Sequence, residues 1–489
     1  MKVLLISVNN ERDPYPVAPI GAAYIARALK DGRHDVRILD LCFVEDDFKA
    51  IGETLKAFLP DVIGISIRNI DNLTFNKSIF YLPRIRQLVE FVKENTSATL
   101  VAGGSGFSIF PEEALRYLGL DIGVVGEGEA AFTRFVDALT HGGRIDDIQN
   151  LCYMKDGKFY SNRHDHLLKK DDEKTPSPSS PPIKGGEIIE SPLPRRERVR
   201  VRGTFHSSPD RSLLNNSAYL ELGGMANIQS KRGCPFKCSY CTYPNIDGNK
   251  LRLREPADVV EELKEMKSDY NIDYVFFVDD IFNFPEEHAA GICEEMVKND
   301  LNLQWTCFAS PKGMTPELAG LMKRAGCRGV EFGSDAGAEK TLKGLGKHFT
   351  PDDISHAAEC CKKIGLPNAH YIIMGGPEED HSTLKETFSL FEKIRPTAVI
   401  ALLGLRIYPN TRLHVTALED GVVSKNMSLL EPVFYLSPAV DADAISLEVS
   451  EHAKDNHNWI APGLNIRCDA DMLTMLRKRG HKGPLWNIL

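Results

Sequence analysis

Three cysteines within one short stretch are the strongest sign of chemistry in the sequence. Cys234, Cys238 and Cys241 follow the spacing C-x-x-x-C-x-x-C inside the stretch KRGCPFKCSYCTY. Three thiolates this close along a chain can each bind one iron of a cubane iron–sulfur cluster, which leaves the fourth iron open. Zinc is the main alternative, but a structural zinc site usually takes four ligands, and no second Cys or His pair stands nearby. The spacing therefore favours a 4Fe-4S cluster.

Alternating strand and helix patterns surround these cysteines and must position them. From about Ala218 to residue 415, six short apolar runs are each followed by a helical pattern or a turn, and the cysteine loop follows the first run. Such a series predicts a partial or complete parallel (β/α)6 barrel. Because active sites of parallel barrels lie at the carboxyl ends of the strands, the cysteine loop stands where a cofactor is expected.

A second alternating pattern occupies residues 1–145. Its five apolar, β-branched runs are separated by helical patterns, which predicts a doubly wound parallel sheet in an α/β domain. Ligands of such sheets bind outside the carboxyl ends of the strands. The loops expected there are Asn9 to Pro19, Ser66 to Asn72, Gly103 to Phe107 and Gly126 to Glu129.

The rest of the chain carries weaker patterns. Residues 146–217 begin with a predicted hairpin, Leu151 to Tyr160, and continue into the Pro-, Ser- and Arg-rich stretch Asp171 to Gly203. The arginines in that stretch suggest either a nucleic-acid contact or a solvated linker, and we favour a disordered linker because no structured element accompanies them. Residues 416–489 are expected to form a small helical extension.

The overall composition argues against several classes of partner. The 489 residues carry a net charge of −9, so no basic surface for nucleic acid is expected. No apolar run reaches the roughly 18 residues that a membrane span requires, and the N-terminal apolar run lacks a cleavage site. The chain has eleven cysteines, and the eight outside the cluster of three are scattered, which favours structural thiols in a reducing compartment. We therefore expect a cytoplasmic protein.

The cysteine loop, with the aromatic Tyr240 just before Cys241, resembles the signature of the radical S-adenosylmethionine (SAM) superfamily. In that family the open iron chelates SAM, and an electron from the cluster cleaves the cofactor to a 5′-deoxyadenosyl radical. The resemblance implies that Cys234, Cys238 and Cys241 bind the cluster and that Tyr240 shields it. It also implies an external electron donor such as flavodoxin or ferredoxin.

Further stretches extend the resemblance to about Pro409. FFVDD, GVEFGS and IIMGGPEED stand where family members contact SAM, which implies cofactor contacts at Asp279, Asp280, Glu331, Ser334, Gly375 and Gly376. Each has a structural alternative, such as helix capping for either aspartate or an ordinary turn for the glycines. His348 and His370 are candidate acids or bases, although a structural role is the alternative for both.

The N-terminal domain resembles the cobalamin-binding domain of one branch of the same superfamily. The residues implied in binding are Pro19, Gly21, Ser66, Arg68, Asn69, Gly103, Gly104, Gly126, Glu127, Gly128 and Glu129. Glycines at strand ends let the backbone approach a flat ring closely. The histidine motif Asp-x-His-x-x-Gly is absent, so the domain either binds cobalamin without a histidine ligand or keeps the fold without the cofactor. No G-x-G-x-x-G follows the first strand, which argues against NAD.

The combined resemblance implies a cobalamin-dependent radical SAM enzyme that methylates an unactivated carbon of a small-molecule or lipid-like substrate. Ring formation or carbon coupling, with or without cobalamin, is the alternative within the class, and a non-catalytic corrinoid or iron–sulfur sensor is the alternative outside it. Because both cofactors must reach one substrate carbon, we expect the N-terminal loops to share a cavity with Tyr240, Asp280 and Glu331. The catalytic acid or base is not identified by sequence.

Overall fold

The computed structural model describes residues 1–12, 14–162, 208–467 and 469–488. Its N-terminal unit is one sheet of seven strands in the order β2-β1-β3-β4-β5-β6-β7. The strands are β1 (Lys2–Ser7), β2 (Asp35–Asp40), β3 (Val62–Ser66), β4 (Thr99–Gly103), β5 (Ile122–Val124), β6 (Leu151–Lys155) and β7 (Lys158–Ser161). The helices are α1 (Ile20–Asp31), α2 (Asp47–Phe58), α3 (Leu82–Asn95), α4 (Ser105–Ile109), α5 (Pro111–Leu118) and α6 (Glu129–His141).

The first five strands are parallel, as the alternating pattern predicts. Strand β1 is buried along nearly its whole length because helices cover both faces of the sheet. The hairpin β6–β7 turns at Asp156 and Gly157, both with positive φ, and it pairs antiparallel with β5. The N-terminal sheet therefore continues past residue 145 to Ser161.

The second unit holds the other seven-stranded sheet, in the order β18-β15-β14-β13-β12-β11-β8. The strands of this half are β8 (Ala226–Ile228), β9 (Lys231–Arg232), β10 (Arg252–Leu253), β11 (Tyr274–Phe277), β12 (Gln304–Ala309), β13 (Cys327–Asp335), β14 (Asn368–Met374), β15 (Ala398–Leu403), β16 (Leu405–Arg406), β17 (Phe434–Tyr435) and β18 (Trp459–Ile460). The helices are α7 (Asn216–Gly223), α8 (Tyr243–Ile246), α9 (Pro256–Tyr270), α10 (Glu286–Lys298), α11 (Pro316–Arg324), α12 (Glu339–Gly344), α13 (Pro351–Ile364), α14 (His381–Ile394), α15 (Arg412–Glu419), α16 (Ala442–Asp455) and α17 (Ala470–Lys478).

All neighbours in this second sheet are parallel. Its edge strands β8 and β18 do not pair with each other in the described part of the chain, so the barrel is partial rather than closed. The six predicted strands correspond to β8 and β11 to β15. Helices α9 to α11, α13 and α14 cover the outer face, where Trp305 and Cys293 are among the fully buried side chains.

The C-terminal extension contains the expected helices, α16 and α17, but it also contributes to the barrel. Strand β18 adds a seventh strand beside β15, and Trp486 packs against Ala369, Ala398 and Ile400. A two-residue strand is too short to be detected from alternation, because its pairing is decided by the neighbouring strand.

The two units share one continuous hydrophobic core. Across it, the buried Arg406 donates from Nε to the Asp71 carboxylate at 2.9 Å. The expected insertion Asp171 to Gly203 lies outside the described residues. Within the described residues, no helix combines the length and the hydropathy that a membrane span requires.

Candidate active site

The cysteine loop lies between β9 and α8, at the carboxyl end of the partial barrel. Its backbone is anchored on both sides: Cys234 N–H donates to the Gly248 carbonyl, and Ser239 N–H donates to the Leu345 carbonyl. Gly233 precedes the loop at φ 86°, and a Cβ there would lie 2.3 Å from the Lys250 carbonyl oxygen, so only glycine fits. Cys234 is buried, whereas Cys238 and Cys241 are half-buried.

The three thiols are close enough to act electrostatically on one another. In the described part of the chain, no three Cys, His, Asp or Glu side chains converge as ligands of a single metal ion. A zinc ion needs its sulfur ligands about 2.3 Å away, whereas thiolates on different irons of a cube stand further apart. Burial raises the pKa of the Cys234 thiol to about 12, so thiolates form here when bound metal compensates their charge.

Two aspartates follow β11, and the structure gives them different environments. Asp279 is fully buried and accepts the N–H groups of Ser230 and Lys231 at 2.7 and 3.1 Å, together with the Ser230 hydroxyl. Oδ2 of Asp280 is also buried but has no hydrogen-bond partner. Burial, and then the charges of Asp247 and Asp279, raise the pKa of Asp280, which lies within electrostatic reach of Cys234 and Cys241. Asp279 thus orders the loop, whereas Oδ2 of Asp280 is left without a hydrogen bond in the described part of the chain.

Tyr240 is fixed by a buried ion pair that the sequence pattern did not indicate. Its hydroxyl donates to Asp335 at 2.5 Å, and Lys347 Nζ donates to the same carboxylate at 2.5 Å. The Lys347 ammonium lies 5.4 Å from the Tyr240 ring centre, and it lowers the pKa of the Cys238 thiol, which burial raises. A cation therefore stands beside the cysteine loop. Lys347 is over 100 residues away in sequence, so only the tertiary fold reveals it.

The stretch GVEFGS lies in strand β13, and its two predicted SAM contacts, Glu331 and Ser334, have different surroundings there. Glu331 is fully buried on the inner face, where Trp486 Nε1–H donates to Oε1 at 2.9 Å and the Tyr371 hydroxyl stands beside the carboxylate as a second donor. Burial raises its pKa to about 7. Ser334 instead bonds His370 at 2.7 Å, and His370 in turn bonds Asn368 at 3.1 Å. The structure does not bring Ser334 to the cysteine loop, and it gives His370 a satisfied structural position.

The other candidate histidine, His348, stacks on Phe236 of the cysteine loop with ring centres 3.6 Å apart. Burial lowers its pKa to about 4, so the imidazole is neutral.

Gly375 and Gly376 form the turn after β14, where both N–H groups donate to Oε2 of the buried Glu379. The carbonyls of the turn are also used, because Ser437 N–H donates to the Gly375 carbonyl and Glu379 N–H donates to the Gly376 carbonyl.

A large cleft separates the carboxyl ends of the N-terminal sheet from the barrel. Its volume is about 1560 Å³, including the space open to solvent at its mouth. All but one of the predicted cobalamin contacts line it, and they are Pro19, Gly21, Ser66, Arg68, Gly103, Gly104, Gly126, Glu127, Gly128 and Glu129. Asn69 is half-buried next to the cleft but is not among the lining residues. No histidine lines the cleft among the described residues.

Glycines provide the room in this cleft. Gly104 has φ 100°, and a Cβ there would lie 2.5 Å from the Ile67 carbonyl oxygen. Gly126 has φ 71°, and its Cβ would lie 2.9 Å from the Ile246 carbonyl oxygen of the barrel unit. These positions accept no side chain, which leaves a bare backbone wall suited to a broad planar ring. The residues therefore fit a corrin.

Glu127 and Glu129, which were predicted as cofactor contacts and line the cleft, also make ion pairs across it. Arg232 contacts Glu129 at 2.6 Å and Glu127 at 3.3 Å, and Arg252 contacts Glu127 as well. The Arg232 guanidinium also lies 5.0 Å from the ring centre of Tyr24. Because Arg232 stands two residues before Cys234, these pairs connect the N-terminal domain directly to the cysteine loop.

The barrel side of the cleft is formed by residues that the sequence analysis missed. Tyr243, Ile246 and Asp247 on and after α8 line it, together with Gln229 and Val278. The N-terminal loops line a cavity shared with the barrel, as expected. The barrel residues expected there, Tyr240, Asp280 and Glu331, are not among the residues that line this cavity. Tyr243 could have been predicted from the sequence, because it follows Cys241 by two positions in a loop expected at a strand end.

The fold and this site together define an α/β protein in which a doubly wound domain faces a partial barrel carrying a three-cysteine loop. Residues 6–136 match the B12 binding domain, and residues 228–391 match the radical SAM superfamily. The chain therefore contains a radical SAM domain that follows a B12 binding domain. The predictions of a radical SAM enzyme and of this α/β fold are thus confirmed.

Several known proteins are similar to this chain over most of its length. An uncharacterised methyltransferase of Pyrococcus horikoshii is 26% identical over 89% of this chain and 88% of its own length. The tryptophan 2-C-methyltransferase of Streptomyces laurentii is 26% identical over 85% of this chain and 75% of its own length. The structure of TsrM, a radical SAM methyltransferase from Kitasatospora setae with cobalamin and a 4Fe-4S cluster bound, superposes with a TM-score of 0.82 at 23% identity, over 99% and 96% of the two chains.

Proposed function

We propose that this chain is a cobalamin- and SAM-dependent methyltransferase that methylates an unactivated carbon of a small-molecule or lipid-like substrate. The observation that carries the proposal is the cleft: cobalamin-domain loops and the barrel residue Val278 line one space, and Arg232 ties that space to the cysteine loop. Two cofactors that act on one carbon require such an arrangement. The relatives named as methyltransferases support the same reaction class.

Each cofactor has residues in this chain that fit it. Cys234, Cys238 and Cys241 would hold the cluster, and the unpaired Oδ2 of Asp280 would accept a hydrogen bond from the SAM amino group. The glycine wall of Gly103, Gly104 and Gly126 would hold the corrin. When bound, SAM supplies the radical that activates the substrate carbon and cobalamin supplies the methyl group, with electrons from an external donor of the flavodoxin or ferredoxin type.

The protein's own part in this reaction is to bind, orient and exclude water. Asp279 orders the backbone just before the cysteine loop, and Lys347 and Asp335 hold Tyr240 beside it. The buried ion pairs of Arg232 fix the distance between the two cofactor sites. Most of the surrounding surface is apolar, which keeps water from quenching reactive species.

The test is anaerobic reconstitution of the full chain with iron, sulfide and hydroxocobalamin. We expect about four irons per chain and one corrinoid per chain, with a corrinoid spectrum that lacks histidine ligation. Changing Cys234, Cys238 and Cys241 together to Ala should abolish iron binding and leave corrinoid binding intact. Cys360→Ala, at a buried cysteine far from the loop in sequence, is the control and should keep both cofactors.

Methyl transfer is then followed with methyl-labelled SAM and candidate substrates. Transfer should require the corrinoid, whereas slow SAM cleavage without substrate should not. A stoichiometric zinc site without charge-transfer absorption would contradict the cluster assignment. Full turnover without any corrinoid would contradict the cobalamin-dependent reaction.

A further inference from the structure

A buried arginine at the far end of the barrel forms no salt bridge within the described residues. Arg477, in the last turn of α17, is 6% exposed, and only its Nη1 is used, donating to the His481 carbonyl at 2.9 Å. Its Nε and Nη2 are buried without a hydrogen-bond partner. No carboxylate of the described residues forms a salt bridge with it, and burial lowers its pKa to about 10.

Two tyrosines stand next to this guanidinium. Tyr274 begins β11, and its hydroxyl would lie 2.4 Å from a Cβ at Gly483, whose N–H donates to the Gly224 carbonyl. Tyr15, from the N-terminal loop that precedes α1, packs against the same cluster as Tyr274, and both tyrosines act electrostatically on Arg477. The guanidinium also packs on Gly224, just before β8, where a Cβ would lie 2.3 Å from Nη1. Because Gly224 and Tyr274 mark the amino ends of their strands, this cluster lies at the end of the barrel opposite the cysteine loop.

A guanidinium buried without a counter-charge is costly, because its hydration is lost and no anion replaces it. The carbonyl at the C-terminal end of α17 satisfies one N–H group but leaves two donors open. Arginine with two open N–H groups matches a carboxylate or phosphate in two parallel hydrogen bonds. Phenol hydroxyls add neutral donors without adding another charge. The cluster therefore has the chemistry of an oxyanion site.

The cluster also packs against a residue that lines the cleft. Tyr274 and Phe276 pack against Met225 on one face of β11, with Tyr15 and Val278 beside them, and Val278 lines the cleft. Tyr274 and Val278 are four residues apart, which is about 13 Å along a strand. An anionic group at Arg477 would thus lie about that far from the reaction space.

We propose that Arg477, Tyr15 and Tyr274 bind an oxyanion, a carboxylate or phosphate, carried by the substrate. This inference rests on the proposed methyltransferase function, and it specifies an acidic substrate whose charged group lies remote from the methylated carbon. The guanidinium is left uncompensated in the free protein because the substrate supplies its counter-ion.

The first test is the stability of the protein with its cofactors but without substrate. Arg477→Met removes the uncompensated charge and keeps most of the side-chain volume, so the midpoint of urea unfolding should rise. Arg479→Met, at an exposed position two residues on, is the matched control and should not shift the midpoint. A lower midpoint in Arg477→Met would overturn the proposal, because the guanidinium would then be satisfied within the protein.

The second test is anion binding by the same proteins, with benzoate and inorganic phosphate as separate probes in calorimetric titrations. One of the two should bind saturably, and Arg477→Met should weaken it at least roughly tenfold. Arg477→Lys should retain part of the affinity, and Arg479→Met all of it. Benzoate binding assigns a carboxylate and phosphate binding a phosphate. Binding of neither probe, or equal binding by Arg477→Met, would overturn the proposal.

These results are independent of the proposed reaction. Iron and corrinoid contents report on the proposed function and should be the same in Arg477→Met and the unaltered protein. If both cofactors are missing, the methyltransferase proposal fails while the anion titration still reports on Arg477. If both are present and neither anion binds, the oxyanion site alone fails.

Discussion

Single buried polar groups show which residues of this protein serve the fold and which are left for ligands. Asp279 has three hydrogen bonds from its own loop, whereas its neighbour Asp280 has an oxygen with none. Glu331 accepts from Trp486 and has the Tyr371 hydroxyl beside it, yet it faces no cation among the groups that shift its pKa. An unsatisfied buried oxygen costs stability, so such groups mark positions kept for function.

Glu331 provides a prediction at this scale. Burial raises its pKa from 4.5 to about 7. Between these values the folded protein holds a proton that the unfolded chain has lost, so stability falls as pH rises from 4.5 to 7 and then levels off. At about 1.4 kcal/mol per pH unit, the loss is about 3 kcal/mol.

Glu331→Gln should abolish this dependence. The neutral amide still accepts from Trp486, so the variant should match the unaltered protein near pH 4.5 and exceed it by up to about 3 kcal/mol at pH 8. Urea unfolding across this pH range measures the difference. Glu94→Gln, on the exposed end of α3, is the control. A difference that does not change with pH would contradict the raised pKa.

At the scale of elements, the ends of β3 and β4 decide the shape of the cleft between the two units. Gly104 lies after β4, and its missing side chain lets the backbone pass against Ile67 after β3. In strand β13, the position of a residue along the strand decides which face its side chain occupies. Glu331 points inward, and the next residue, Phe332, packs against the outer helices.

Gly104→Ala should therefore disturb the cleft. At φ 100° an alanine is strained, and its Cβ would collide with the Ile67 carbonyl. We expect a loss of about 1–3 kcal/mol in unfolding free energy and at least roughly tenfold weaker hydroxocobalamin binding. Gly52→Ala is the control, since a Cβ inside α2 meets only Phe91 at 3.6 Å. Unchanged corrinoid affinity in Gly104→Ala would show that the cofactor does not depend on this wall.

At the scale of the whole molecule, charges across the cleft hold the two units in register. Arg232 is 7% exposed and pairs with Glu127 and Glu129 of the opposite unit. Removing one partner of such a pair leaves charge buried without compensation, whereas removing both partners is tolerated far better.

Arg232→Gln should cost about 3 kcal/mol and release bound corrinoid during gel filtration. Adding Glu129→Gln should restore part of the stability, because fewer uncompensated carboxylates remain. Arg86→Gln breaks an exposed pair with Glu90 and should cost less than about 1 kcal/mol. If the variant with both Arg232→Gln and Glu129→Gln is no more stable than Arg232→Gln alone, the charges of Arg232 and Glu129 are not energetically coupled.

The sequence by itself determined the two alternating domains and the three cysteines, because these signals are local. The spacing of hydrophobic residues along the chain indicates strands and helices. The three cysteines predicted to bind the cluster lie within eight residues of one another. Most predicted cobalamin contacts line the cleft for the same reason, since strand ends of a parallel sheet meet at one edge.

Only the tertiary structure decided which polar groups meet across long sequence separations. Lys347 beside Cys238, Arg232 on Glu129, Trp486 on Glu331 and Arg477 beside Tyr15 join residues from different elements or from opposite ends of the chain. Ser334 stands two residues after Phe332 on the outer face of β13, and its hydroxyl bonds His370 of the neighbouring strand. Burial and pairing depend on how whole elements pack, and no local pattern encodes that packing.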